Sequence, residues 1–193
     1  MNPTGPAPAH GAQPPSAWVR RFTASLARGA TVLDLACGQG RHARWLARRG
    51  HAVLAVDRDA ACGAALAGEP GVRFLQADLE AAPWPFEGQR FDGIIVTQYL
   101  HRPLLAAIVA ALAPGGLLVY ETFAQGNERY GRPSNPDFLL APGELLAACR
   151  DLHVLAYEDG VLDLPRPARV QRIAAQRPPA PDRCLQLDGA VPD

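Results

Sequence analysis

The sequence predicts a doubly wound α/β domain with a mostly parallel sheet, and three observations predict it. Short apolar runs rich in Val, Leu and Ile alternate with longer stretches of helical period, as βαβ units do. Five of the runs are apolar throughout, as strands covered on both faces require. The first of them leads into a glycine turn that opens a helix, the arrangement found beside the crevice of such sheets.

The five strand runs are residues 31–36, 52–57, 72–76, 91–97 and 116–122. Helices are expected over 17–28, 41–49, 60–67, 103–112 and 142–150. In the second, Ala43, Leu46 and Ala47 share a face, and Gly50 stands where a left-handed C-terminal cap belongs. In the fourth, Pro103 suits the first helical position. Its apolar run, 104–113, is stopped by Pro114 and Gly115-Gly116, well short of the ~20 residues a membrane span needs. After the fifth helix come two further strand candidates, 152–157 and 168–175. The connection 159–167 is too short for a helix and reads as a hairpin, which puts one antiparallel strand into the sheet.

A chain of 193 residues with 48% hydrophobic and 20% charged residues suits one domain. Residues 1–15, rich in Pro, Ala and Gly, read as a disordered arm. The domain proper is 16–176, and the proline-broken 177–193 reads as a tail. No apolar run near the N-terminus could serve as a signal-peptide core, so a cytoplasmic location is expected. Nineteen Lys plus Arg balance nineteen Asp plus Glu, which favours neither nucleic acid nor a membrane surface as partner. Oligomeric state is left open. Cys37, Cys62, Cys149 and Cys184 form no CxxC pair and read as free thiols, and no His or Cys pair has metal-ligand spacing.

The stretch 32–43, VLDLACGQGRHA, carries the most chemistry. Gly38 and Gly40 let the backbone pass close to a ligand, and the free N–H groups opening the next helix face the same crevice. Asp34, Asp57 and Asp78 stand at or just beyond the ends of three consecutive strands, so they converge on one edge. Asp57 is placed to accept both ribose hydroxyls of a nucleoside. The pattern Gly38-x-Gly40-x-x-Ala43 also satisfies the dinucleotide fingerprint. Asp34, however, precedes the glycines, where an acid would pair with an ammonium and oppose a pyrophosphate. A cationic mononucleoside ligand fits better than NAD.

On these residues, together with VLAVD (53–57), QADLE (76–80), FDGIIVTQYLHRPL (91–104) and LAPGGLLVYETF (112–123), the chain resembles the class I S-adenosylmethionine-dependent methyltransferases. Within them it looks closest to the small bacterial branch that includes the tellurite-resistance enzymes. The resemblance implies a Rossmann-like seven-stranded sheet of order 3-2-1-4-5-7-6. It implies S-adenosylmethionine as cofactor, with Asp34, Ala36, Cys37 and the backbone of Gly38 and Gly40 at its methionine part. Asp57 and Arg58 would lie at the ribose, Asp78 and the amide of Leu79 at the adenine, and Thr97 and Gln98 beside the sulfonium. Related sequences often carry Asn where this chain has Gln98. Arg20 and Arg41 are candidates for the cofactor carboxylate or plain solvated helix charges, and Cys37 also reads as a small packing residue.

Methyl transfer from a sulfonium is an in-line displacement that depends chiefly on positioning the nucleophile. Tyr99 and His101 follow the fourth strand and are the catalytic candidates. The positive end of the following helix would keep His101 neutral and able to accept a proton. The other reading makes His101 a polar wall or cap and Tyr99 an interior aromatic. Glu121 ends the fifth strand, expected to face the crevice. The nineteen-residue connector 123–141 then reads as an ordered lid, anchored by burial of Phe138, Leu139 and Leu140. Its Asn127, Arg129, Tyr130 and Arg132, with Glu121, are the substrate candidates, and the two arginines would suit a small anion. The function expected is methyl transfer to a small-molecule acceptor. The alternatives are a non-catalytic module binding S-adenosylmethionine or its demethylated product, and an NAD-binding oxidoreductase.

Overall fold

A computed structural model describes residues 14–163 and 166–179. Most of the expected arm and tail therefore lies outside the described residues. The chain runs α1 (Ala17–Thr23), β1 (Thr31–Leu35), α2 (Arg41–Arg48), β2 (Ala52–Asp57), α3 (Ala60–Leu66), β3 (Val72–Gln76) and β4 (Phe91–Thr97). There follow α4 (Leu105–Ala110), β5 (Leu112–Phe123), α5 (Glu144–Ala148), β6 (His153–Leu162) and β7 (Ala168–Gln176). One seven-stranded sheet has the order β3-β2-β1-β4-β5-β7-β6. The first five strands are parallel, and β7 is antiparallel to both β5 and β6. The expected topology is thus the observed one, hairpin included.

Strand alternation splits the core into two layers. Val32, Val53, Ile95 and Val119 point to one face and pack with Trp18, Val19 and Phe22 of α1, Leu46 of α2 and Leu66 of α3. Leu33, Leu35, Ile94, Val96, Leu118 and Tyr120 point to the other and pack with Leu104, Ile108, Leu145 and Cys149. Both faces are covered, which is why the central strands read as unbroken apolar runs.

Element ends differ from expectation for local reasons. Helix α1 stops at Thr23, where the hydroxyls of Thr23 and Ser25 bond back to Val19 O and Phe22 O. Helix α4 begins only after a 3-10 turn, Arg102–Leu104. Strand β5 begins at Leu112, not Gly116: Leu112 pairs with Phe91 and Leu117 with Gly93, so 113–116 bulge out of the ladder. A Cβ at Gly116 would stand 2.9 Å from Phe91 O, so only glycine fits that bulge. Helix α5 starts at Glu144 because Gly143, at φ 74°, takes the left-handed conformation ahead of it.

Candidate active site

The site lies where the strand order reverses, between β1 and β4, beyond their carboxyl ends. Ala36 (φ 53°) and Gln98 (φ 54°) are the two non-glycine residues with positive φ among the described residues. They follow β1 and β4 directly. A left-handed non-glycine residue costs about 1–3 kcal/mol and persists only where its surroundings impose it, as at binding sites. Here both turns carry the chain out of the sheet and open a crevice between them.

Glycine is required in the turn between β1 and α2. Gly38 (φ 52°) and Gly40 (φ 76°) are both left-handed. A Cβ on Gly38 would meet nothing within 4 Å, so open space lies above it. On Gly40 it would press into the buried Leu66, 2.8 Å from Cγ. Gly40→Ala should therefore combine a left-handed penalty of about 1–2 kcal/mol with overpacking of about 1–3 kcal/mol. The melting temperature should fall by about 2–4 °C per kcal/mol. A melt within 2 °C of the parent would mean that α3 moves aside freely.

Asp57 ties the turn to the second strand: its Oδ2 accepts Gly38 N–H at 2.9 Å and its Oδ1 accepts Asp59 N–H at 3.0 Å. Asp78 Oδ1 accepts the N–H groups of Glu80 and Ala81 (2.9 and 3.2 Å), which hold its carboxyl below the usual range. Between these acids opens a cavity of about 260 Å³ lined by Ala36, Asp57, Arg58, Ala77, Asp78, Leu79, Glu80, Gln98 and Tyr99. Six expected cofactor residues, Ala36, Asp57, Arg58, Asp78, Leu79 and Gln98, thus share one wall with Tyr99. Asp34, Cys37, Gly38, Gly40 and Thr97 are not among the cavity's lining residues.

Asp34 is 1% exposed, and its Oδ2 has no hydrogen-bond partner among the described residues. Burial, with the charge of Asp57 adding, pushes its carboxyl up to about 7 against the Ala43 amide and Arg41, which oppose the rise. Beside it His42 is buried; Nε2 accepts Ser16 N–H at 3.1 Å and Nδ1 lies 3.5 Å from Thr97 Oγ1. Burial and the Arg41 cation pull the imidazole down to about 3, so it is neutral. Its role as a buried acceptor beneath the turn did not emerge from the sequence, where it only flanks a helix. The guanidinium of Arg41 feels both Glu121 and Asp34.

A second cavity, about 330 Å³, adjoins the first and shares Arg58, Glu80, Gln98 and Tyr99 with it; Leu100, Thr122, Phe123, Pro133 and Phe138 complete it. The Tyr99 hydroxyl is buried on the shared wall without a well-formed hydrogen bond among the described residues. Burial first, then the facing carboxylate of Glu80, raises its pKa.

Several expected site residues stand elsewhere. His101 lines neither cavity, although it stands near Asp78, and it precedes only a 3-10 turn, not the longer helix whose dipole was to act on it. Glu121 lines neither cavity; two residues beyond Val119, it shares the sheet face that packs against α1. Its carboxylate accepts Ser16 Oγ–H and pairs with Arg172. Asn127 is buried inside the connector, where its amide donates to Pro133 O and its oxygen accepts Arg169 N–H. Arg129, Tyr130 and Arg132 lie on the exposed outer side.

The connector itself is ordered. It holds two 3-10 turns, Asn127–Arg129 and Pro136–Phe138, and closes on itself where Leu140 N–H donates to Phe123 O and Gln125 N–H to Leu140 O. Leu139 and Leu140 are buried as expected, whereas Phe138 is 48% exposed at the cavity mouth. Glu80, Leu100, Thr122, Phe123, Pro133 and Phe138 were not among the sequence candidates. The one signal for them is that Phe123 and Phe138 bracket the connector.

The strand order and the glycine turn belong to a fold that solved S-adenosylmethionine-dependent methyltransferases share. Residues 32–116 match the model of a methyltransferase domain. An uncharacterized methyltransferase of Mycobacterium tuberculosis is 37% identical over 109 residues, 52% of this chain and 54% of that one. The chain thus aligns with about half the length of that curated relative. Among solved structures, TehB from Haemophilus influenzae superposes with a TM-score of 0.69 at 21% identity, covering 82% of this chain and 61% of that one. A Burkholderia thailandensis 1,6-didemethyltoxoflavin-N1-methyltransferase, solved with 1,6-didemethyltoxoflavin and S-adenosylhomocysteine bound, gives 0.60 at 23% identity over 83% and 76%. No helix among the described residues is long and apolar enough to cross a membrane, and no group of three metal-ligating side chains occurs among them.

Proposed function

We propose that this chain binds S-adenosylmethionine in the first cavity and transfers its methyl group to a small molecule held in the second. The observation that carries this reading is the pair of adjoining cavities with Tyr99 and Gln98 on their common wall. The methyltransferase bound to 1,6-didemethyltoxoflavin is a fold neighbour whose acceptor is a small molecule, which supports the same class here. The residues present fit the cofactor. The unpartnered, buried Asp34 Oδ2 suits an ammonium, and Asp57 has lone pairs left for ribose hydroxyls. Asp78 and the Leu79 amide suit adenine. When bound, the cofactor would supply an electrophilic methyl on a sulfonium sulfur able to leave with the bonding electrons.

The protein's own part is positional. Gln98 and Tyr99, turned out of the sheet by the left-handed backbone after β4, border the place where the two ligands meet. Glu80 stands beside Tyr99 and is exposed to solvent, so it can take a proton from an acceptor and pass it to water. Glu80 replaces His101 as the base in this reading.

Isothermal titration with S-adenosylmethionine, S-adenosylhomocysteine and NAD in parallel tests the proposal. Binding of the first two alone is expected. Binding of NAD alone would overturn it, and with it the assignment of Asp34 and Asp78.

A further inference from the structure

Resting on that reading, we infer that the acceptor is a flat, uncharged aromatic molecule carrying an N–H or O–H nucleophile. It stacks on Phe138 and is hydrogen-bonded by the Tyr99 hydroxyl.

Phe138 carries the first half of the argument. Nearly half of its surface is open to solvent, although it lines the second cavity. A loose surface phenylalanine would fold onto the nearest apolar neighbour. This one is held from both sides: Arg102 Nη1 donates to Asp137 O at 2.7 Å and Nη2 to Leu139 O at 2.8 Å. The guanidinium is fixed in turn by Glu144, which accepts Nε at 2.7 Å and Nη2 at 3.0 Å and also takes Ala141 N–H at 2.8 Å. A bidentate carboxylate grip of this kind gives the guanidinium a defined orientation. The carbonyls flanking Phe138 are therefore pinned, and its ring is presented at the mouth as a stacking face. Phe123 and Pro133 add apolar wall beside it.

Tyr99 carries the second half. The Tyr99 hydroxyl is buried facing the Glu80 carboxylate with no hydrogen bond of good geometry, so an N–H or O–H group of an acceptor entering between the two would pair with both. Tyr99 sits on the wall shared with the first cavity, where the reacting atom of an acceptor belongs. Arg58 and Glu80 are the cavity's charged side chains, one of each sign, so neither an anion nor a cation is favoured as a whole. The arginines that would have suited a small oxyanion, Arg129 and Arg132, lie outside. The volume, about 330 Å³, holds roughly eleven waters at ~30 Å³ each, the size of a one- or two-ring compound.

The test uses the full chain saturated with S-adenosylhomocysteine. That first binding step checks the underlying methyltransferase reading separately, and its failure would overturn both. On the loaded protein, three probes are compared by saturation-transfer NMR and titration: 2-naphthol, its saturated analogue decahydro-2-naphthol, and selenite. Binding of 2-naphthol is expected at least 10-fold tighter than that of the saturated analogue, with no selenite binding. Phe138→Ala should weaken 2-naphthol at least 10-fold, Phe138→Tyr should restore it, and Tyr99→Phe should weaken it about 5- to 10-fold. S-adenosylhomocysteine affinity should stay within twofold in both Phe138 variants. Selenite binding, equal affinity for the flat and saturated rings, no binding of any probe, or unchanged affinity in Phe138→Ala would each overturn the inference.

Discussion

Asp57→Ala should lower affinity for S-adenosylhomocysteine by at least about 100-fold. The carboxylate holds Gly38 N–H and Asp59 N–H in the free protein. Its remaining lone pairs face the first cavity, where two ribose hydroxyls would meet them. Hydrogen bonds to a charged acceptor are worth about 1.5–3 kcal/mol each, so losing two of them removes about 3 kcal/mol or more, and 1.4 kcal/mol is tenfold in affinity. Release of Gly38 adds to the loss. Asp57→Asn, which keeps one acceptor oxygen, should fall between the parent and Asp57→Ala. Calorimetric affinity within threefold of the parent in Asp57→Ala would take the ribose away from the end of β2.

Asp34→Asn should move stability and cofactor binding in opposite directions. The folded carboxyl titrates near 7 against 3.8 for the ordinary group, chiefly because it is buried. A folded pKa above the unfolded one means that the stabilising contribution is complete below about 4 and is lost as pH rises through about 7. At ~1.4 kcal/mol per pKa unit the ionised carboxyl costs the free protein about 4 kcal/mol at pH 8. The substituted side chain would carry no such cost but would bury an unpaired amide, at about 1–3 kcal/mol. The variant should therefore be more stable than the parent at pH 8 by about 1–3 kcal/mol, and the difference should vanish or reverse at pH 4. Affinity for S-adenosylhomocysteine should drop at least about 10-fold, because the ammonium loses its counter-charge. Thermal melts at the two pH values and calorimetry at pH 8 check both halves. In the parent, binding near pH 7 should also release about half a proton, since Asp34 must ionise to meet the ammonium. A variant less stable than the parent at pH 8 would show that the buried charge is already compensated.

The first cavity was largely legible in advance, because its framework rests on backbone. A positive φ at Gly38 and Gly40 demands glycine, and an acid ending β2 or following β3 is placed by strand parity and sheet order alone. Local residues thus announce local geometry. Asp34 was legible as an acid before the glycines, but its elevated pKa depends on complete burial in the folded domain and could not be read from the chain.

The lining of the second cavity was not legible, for the opposite reason. Composition placed Arg129, Arg132 and Asn127 on a long connector without saying which side of that connector faces inward. The side is decided by contacts between distant segments: Asn127 with Arg169, Arg102 with Glu144 and with the carbonyls around Phe138. Those anchors turn the arginines out and Phe138 toward the mouth. The start of β5 shows the same limit in miniature. Leu112 closes a run of helical period, yet pairing with Phe91 across the sheet outweighs the local preference.

By itself, then, the amino-acid order determined the strand sequence, the single antiparallel hairpin partner, the glycine turn and the acids beside it, since each follows from periodicity, parity or backbone sterics within a few residues. Only the tertiary structure decided which side chains wall the second cavity, that Tyr99 and Glu80 rather than His101 stand at the junction, and that Glu121 serves the opposite layer. Those outcomes depend on hydrogen bonds and burial between segments tens of residues apart, and such pairings leave no period in the sequence.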